Sequence, residues 1–207
     1  MAEDASAEST IRQLQERIKK LEEDNKKWMR LAGINRLTEL PNGLMLYQVV
    51  LPGMVKKGVE EPVSLACALI SPDRLGDINQ EHGRVIGDQL IQQIGAFLKG
   101  QLEEGERLFH CDGANFAILT PGSLEGHVKR RVGVIKTQFA RETFKVGDNR
   151  FTELAFSVGV AEIEGRVNQD DVAASVERMY DELCNRLYEA KNRGGGQTVG
   201  SSKASWS

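Results

Sequence analysis

Phe109 to Leu119 read F-H-C-D-G-A-N-F-A-I-L, two short apolar runs separated by a polar turn. Leu108 to Cys111 and Phe116 to Leu119 have strand character, and Asp112-Gly113 between them is a strong signal for a type I′ hairpin. A hairpin commits its two strands to antiparallel pairing. A two-stranded ribbon is marginal alone in water, so the rest of the chain must supply further strands and a covering layer of helices.

The remaining periodicities supply both. Asn42 caps a helical stretch that Pro52 and Gly53 interrupt, Pro62 precedes a buried-strand run from Val63 to Ile70, and Val85 to Leu102 repeats apolar residues at helical spacing. Ser123 opens an amphipathic helix and Phe151 to Ile163 is strand-like. Asn168 caps a last helix with Val172, Val176, Met179, Leu183 and Leu187 on one face. The pattern predicts an α+β sandwich, with helices on one face of a mostly antiparallel sheet. Gly194-Gly195-Gly196 ends the last helix, and the serine-rich segment 197–207 reads as a flexible tail.

An appendage precedes this domain. From Ile11 the apolar residues step three and four apart, through Ile11, Leu14, Ile18, Leu21, Asn25 and Trp28, at alternating a and d positions of a heptad. Isoleucine at a, leucine at d and a single asparagine at a favour a parallel two-stranded coiled coil, with Arg17 and Glu22 placed as an interhelical charge pair. The alternative is one amphipathic helix packed on its own domain. A helix of about 24 residues spans about 36 Å, long for docking on a small domain, and Asn25 sits on the narrow stripe. The expected division is a flexible segment 1–9, a dimerisation helix 10–33, a domain 34–196 and the tail 197–207.

Composition closes off other classes. The 207 residues carry a net charge of −3 with 6% aromatics, and no basic block or stacking platform for nucleic acid is present. Cys67, Cys111 and Cys184 lack C-x-x-C spacing and suit buried thiols in a reducing cytoplasm. The polar start Met1-Ala-Glu-Asp and the brevity of the longest apolar run, Val63 to Ile70, predict neither signal peptide nor membrane span. His82, His110 and His127 fall on separate elements without paired spacing, so no metal site and no cofactor is expected from them.

The hairpin, with Leu69 to Asp88 upstream and Leu187 to Gly194 downstream, resembles the GGDEF family of diguanylate cyclases, which join two GTP molecules into cyclic di-GMP. The resemblance covers roughly Ile34 to Gly196 and implies the nucleotidyl-cyclase-like fold. It also implies where the chemistry would sit. An aspartate closing the first strand and the third signature residue would be metal ligands; the matching residues are Ser71 and Ala114. Aligned on the signature, Asp112, Gly113, Ala114, Asn115 and Phe116 leave no acid at its third and fourth positions, and Asn115 has no basic oxygen to accept a proton. Asp73 is a substitute ligand or, more simply, a turn aspartate.

Other family positions are mixed. Lys191 matches a lysine that contacts phosphate, while the arginine expected four residues later is Gly195. Asn79 and Asp88 match the two side chains that read guanine; structurally, Asn79 would end a short helix and Asp88 would occupy the first turn of the next. Glu103 and Glu106 replace an Arg-x-x-Asp product site, and their charge should repel the cyclic di-GMP dianion. The implied function is a catalytically inactive, dimeric regulatory or scaffold module of cyclic di-GMP signalling that binds an unidentified signalling protein, with the altered hairpin as one contact surface. The alternative is a guanine-nucleotide sensor for GTP or cyclic di-GMP built on Asn79, Asp88 and Lys191; a third is an active cyclase with an unorthodox metal site.

Overall fold

The computed structural model describes the backbone of residues 2–201 and the side chains of 11–25 and 32–201. A first helix, α1 (Ala2–Ala32), leads into the domain. It begins well before the expected start at residue 10, so the segment anticipated as flexible is helical from Ala2. Ile11, Leu14, Ile18 and Leu21 are each more than half exposed, and Asn25 is exposed with them; the side chain of Trp28 lies outside the described residues. The described part of the stripe, Ile11 to Asn25, is therefore uncovered by its own domain.

Asn42 caps the next helical segment as anticipated, its side chain accepting from Met45 N–H at 3.1 Å. The chain then runs through α2 (Gly43–Met45), a π-helical turn (Leu46–Val50), α3 (Leu51–Val55) and a 3-10 turn (Lys56–Val59). Pro52 does not interrupt it. The wide turn just before Pro52 and its place in the first turn of α3 spare the hydrogen bond a proline lacks.

Five strands form the central sheet in the order β2-β3-β1-β6-β7. They are β1 (Val63–Pro72), β2 (Arg107–His110), β3 (Phe116–Pro121), β6 (Phe156–Gly165) and β7 (Thr198–Val199). All pairings are antiparallel except β6 with β7, which is parallel, so the sheet is mixed. The beginning of the expected tail thus belongs to the sheet, and only 202–207 lies outside the described residues. Phe151 is not part of β6. It closes a separate hairpin of β4 (Phe144–Val146) and β5 (Asn149–Phe151), with Gly147 at φ +57° in the turn.

Helices cover both faces of the sheet, not one. Ala66, Ala68 and Ile70 of β1 pack under α5 (Arg84–Gly100) and α6 (Glu125–Phe139), while Leu65, Cys67 and Leu69 pack under α3 and α7 (Val172–Asn192). A strand buried on both sides reads as a continuous apolar run, which is why Val63 to Ile70 shows no alternation. The last helix also approaches β6 closely. A Cβ at Gly159 would lie 2.3 Å from the Leu183 carbonyl oxygen, so only glycine fits there.

Candidate functional site

The end of β1, the β2-β3 turn and the end of α7 converge on an open cavity of about 450 Å³. It is lined by Ser71, Asp112, Gly113, Ala114, Asn115 and Lys191, all singled out from the sequence, together with Asp73, Arg74 and the Gly194-Gly195 backbone. Phe116 is fully buried beneath it, stacked on His110 with ring centroids 4.6 Å apart.

The hairpin turn is displaced by one residue from expectation. Asn115 N–H donates to Asp112 C=O at 3.2 Å, so Gly113 and Ala114 are its central pair. Gly113 alone has positive φ, +67°, whereas a type I′ turn on Asp112-Gly113 would need it at both. His110 holds this turn from below. Its Nε2–H donates to Gly113 C=O at 2.9 Å, and its Nδ1 accepts from the Thr38 hydroxyl at 2.9 Å. Burial lowers the His110 pKa, favouring the neutral ring that this pair of bonds uses.

Asp73 faces the cavity, and each of its oxygens accepts one hydrogen bond from the fold. Its Oδ1 accepts from Ser157 Oγ at 2.8 Å and its Oδ2 from Gly196 N–H at 2.7 Å. The glycines 194, 195 and 196 all take positive φ to bring that N–H onto the carboxylate, and a Cβ at Gly195 would sit 3.2 Å from it. Lys136 then closes the turn from α6, its Nζ donating to Gly196 C=O at 2.7 Å and Thr198 Oγ1 at 3.0 Å. Burial lowers the Lys136 pKa, partly opposed by the nearby Asp73 charge.

A divalent cation gripping a triphosphate needs several hard oxygen ligands, carboxylates above all. Ser71 is a buried hydroxyl and Ala114 has no donor side chain, while the carboxylates in the lining are Asp112 on the turn and Asp73, each of whose oxygens accepts one bond from the fold. At the two positions that the resemblance assigns to metal ligands, Ser71 and Ala114, no carboxylate is present. Among the described residues no cluster of three or more histidine, cysteine, aspartate or glutamate side chains is poised to hold one. Two cations, Arg74 and Lys191, line the cavity, and Arg74 Nε is bonded to Asp77 Oδ2 at 3.2 Å.

Asn79 and Asp88 do not line this cavity. Asn79 sits in α4 (Leu75–His82), where its C=O accepts from Gly83 N–H at the helix end. Its Oδ1 is buried without a hydrogen-bond partner and lies 1.8 Å from where a Cβ of Gly87 would project. Asp88 lies beyond the first turn of α5, not within it, because that helix starts at Arg84.

Glu103 is exposed and the Glu106 side chain is covered, and both lie beside one cation. Glu106 as a whole residue is only half-buried; its side chain accepts from Glu103 N–H at 2.8 Å and lies 3.7 Å from Arg131 Nη2. Arg131 Nε approaches Glu103 Oε1 at 2.6 Å in an off-line charge contact, and its guanidinium also donates to Gln101 C=O. Arg131 comes from α6, distant in sequence, so the compensation was invisible from spacing.

The cysteines are unpaired thiols. Burial raises the pKa of all three, Cys111 to about 12, so none presents a thiolate at neutral pH. Among the described residues no helix is long and apolar enough to cross a membrane.

A family profile described as "Diguanylate cyclase, GGDEF domain" matches residues 32–197. The diguanylate cyclase DgcM of Escherichia coli (strain K12) is 27% identical over 159 residues, which are 76% of this chain and 36% of that protein. The chain therefore spans little more than a third of that relative. The coiled coil and GGDEF domain of DgcB from Caulobacter crescentus, solved in complex with c-di-GMP, is similar with a TM-score of 0.71 at 18% identity, covering 95% of this chain and 100% of that one. The FimX GGDEF domain from Pseudomonas aeruginosa is similar with a TM-score of 0.69 at 18% identity, covering 82% of this chain and 99% of that one.

Proposed function

Because the chain belongs to the GGDEF family of diguanylate cyclase domains, we propose that this member is a non-catalytic, dimeric regulatory or scaffold module of cytoplasmic cyclic di-GMP signalling. It acts by holding a signalling protein on the face around the Asp112 to Asn115 hairpin. The observation that carries this reading is the engagement of Asp73. The carboxylate at the end of β1 is tied to Ser157 and Gly196 by one hydrogen bond per oxygen, and Ser71 and Ala114 occupy the positions that the family resemblance assigns to metal ligands.

The uncovered stripe on α1 supports the dimeric part, since apolar side chains at a and d positions gain most by meeting the same stripe of a second copy. Two domains on one parallel zipper present two identical faces, and a bivalent partner gains from the effective concentration.

The test is incubation of the purified chain with GTP and magnesium, with chromatography of the products and calorimetric titration of the same sample. The expected result is neither cyclic dinucleotide nor saturable heat. Product accumulating in proportion to protein concentration would overturn the reading.

A second reading, a guanine-nucleotide sensor, is favoured by one observation. Asn79 is partly exposed and its amide makes no side-chain hydrogen bond among the described residues; Oδ1 is packed against Gly87, so the amide group is the part left to meet a ligand acceptor. Saturable GTP binding without product, lost in Asn79→Ala, would move the protein to that class.

A further inference from the structure

Beside the hairpin, a groove of about 770 Å³ runs between the Gly43–Val50 segment and the first half of α7. Its apolar surface comes from Leu44, Tyr47, Pro52, Val172, Val176 and Tyr180, and Leu44 and Tyr180 are 37% and 40% exposed. Tyr47 and Tyr180 meet edge to face with centroids 4.7 Å apart, which fixes the floor of the groove. The charged lining residues are Asp112, Asp170 and Glu177; lysine, arginine and histidine are absent from the lining. Asp112 belongs to both the groove and the hairpin turn.

We propose that this groove docks an amphipathic helix of a partner protein, one whose aliphatic stripe is flanked by lysines or arginines. Three features select that occupant. The walls are helical, so they present ridges into which a third helix can settle and no free strand edge for an extended peptide to extend. The floor is apolar and aromatic, suited to aliphatic anchors at helical spacing. The rim is acidic throughout, so it attracts a basic flank and rejects an acidic one. The inference rests on the scaffold reading and gives its partner a chemical identity.

The probe is a pair of synthetic amphipathic helical peptides with the same leucine stripe, one with lysine and one with glutamate on the polar face, labelled and titrated against the full chain by fluorescence anisotropy. The lysine peptide is expected to bind saturably and about tenfold or more tighter than the glutamate peptide. Ala173→Phe, at an exposed groove position on α7, should fill the groove without changing charge and weaken that binding about tenfold. Glu177→Lys should narrow the preference between the peptides, and circular dichroism checks that both variants remain folded. Equal binding of the two peptides, or undiminished binding to Ala173→Phe, would overturn the proposal. Groove binding and GTP turnover are read separately: turnover would remove the non-catalytic reading while leaving a functioning groove in place.

Discussion

Ser157, fully buried in β6, donates its hydroxyl to Asp73 Oδ1 at 2.8 Å across the end of the sheet. The other Asp73 oxygen takes the Gly196 N–H at 2.7 Å, so one carboxylate ties β1, β6 and the turn into β7 together. The acid at the lip of the 450 Å³ cavity is a structural clasp.

Removing that clasp has a direct cost. Asp73→Ala leaves the Ser157 hydroxyl buried without its acceptor, and hydrogen bonds to a charged group contribute about 1.5–3 kcal/mol each. Urea unfolding should show a loss of at least about 1.5 kcal/mol, and hydrogen exchange should quicken at Val158 N–H, which bonds Gln197 C=O at 2.8 Å. Unchanged stability and protection would mean that Asp73 is free for another role.

Gly159 makes a second, independent prediction. An added Cβ would meet backbone atoms of α7, the Leu183 oxygen at 2.3 Å and the Leu187 nitrogen at 2.6 Å, and a helix backbone gives way only as a unit. Gly159→Ala should therefore destabilise by about 1–3 kcal/mol or more, as overpacking does, with a lower Tm in thermal denaturation. A Tm equal to that of the unaltered chain would show that α7 can slide away at little cost.

His110 predicts the pH dependence. Its folded pKa lies below the unfolded value of about 6.5 because burial disfavours the imidazolium. The unfolded chain then binds the proton more readily, so this contribution is present above pH about 6.5 and is lost as pH falls through the folded value. The stability difference between the unaltered chain and His110→Gln, measured by urea unfolding from neutral pH downwards, should move against histidine on acidification. A difference independent of pH would refute a neutral buried ring.

The α1 stripe is testable by sedimentation. Ile18 and Leu21 are 56% and 59% exposed in the single chain, so replacing Leu21 with glutamate costs the monomer little and places like charges across a paired seam. The unaltered chain should sediment as a dimer and Leu21→Glu as a folded monomer. A monomer in both cases would remove the zipper.

The sequence by itself determined the elements whose signal is local. The hairpin strands, the Asn42 cap, the β1 run and the apolar face of α7 each follow from neighbours a few residues apart, whereas the residues gathered around the 450 Å³ cavity were singled out by the family resemblance. Tertiary structure decided what those residues face. Asp73 meets Ser157 and Gly196, Arg131 meets Glu103 and Glu106, and Tyr47 meets Tyr180, each across a long stretch of chain. The Gly113-Ala114 register of the turn, the second helical layer and the entry of β7 into the sheet likewise depend on partners brought from elsewhere. Periodicity reports which side of an element is apolar, whereas hydrogen bonds, ion pairs and grooves form between elements, and only packing brings those together.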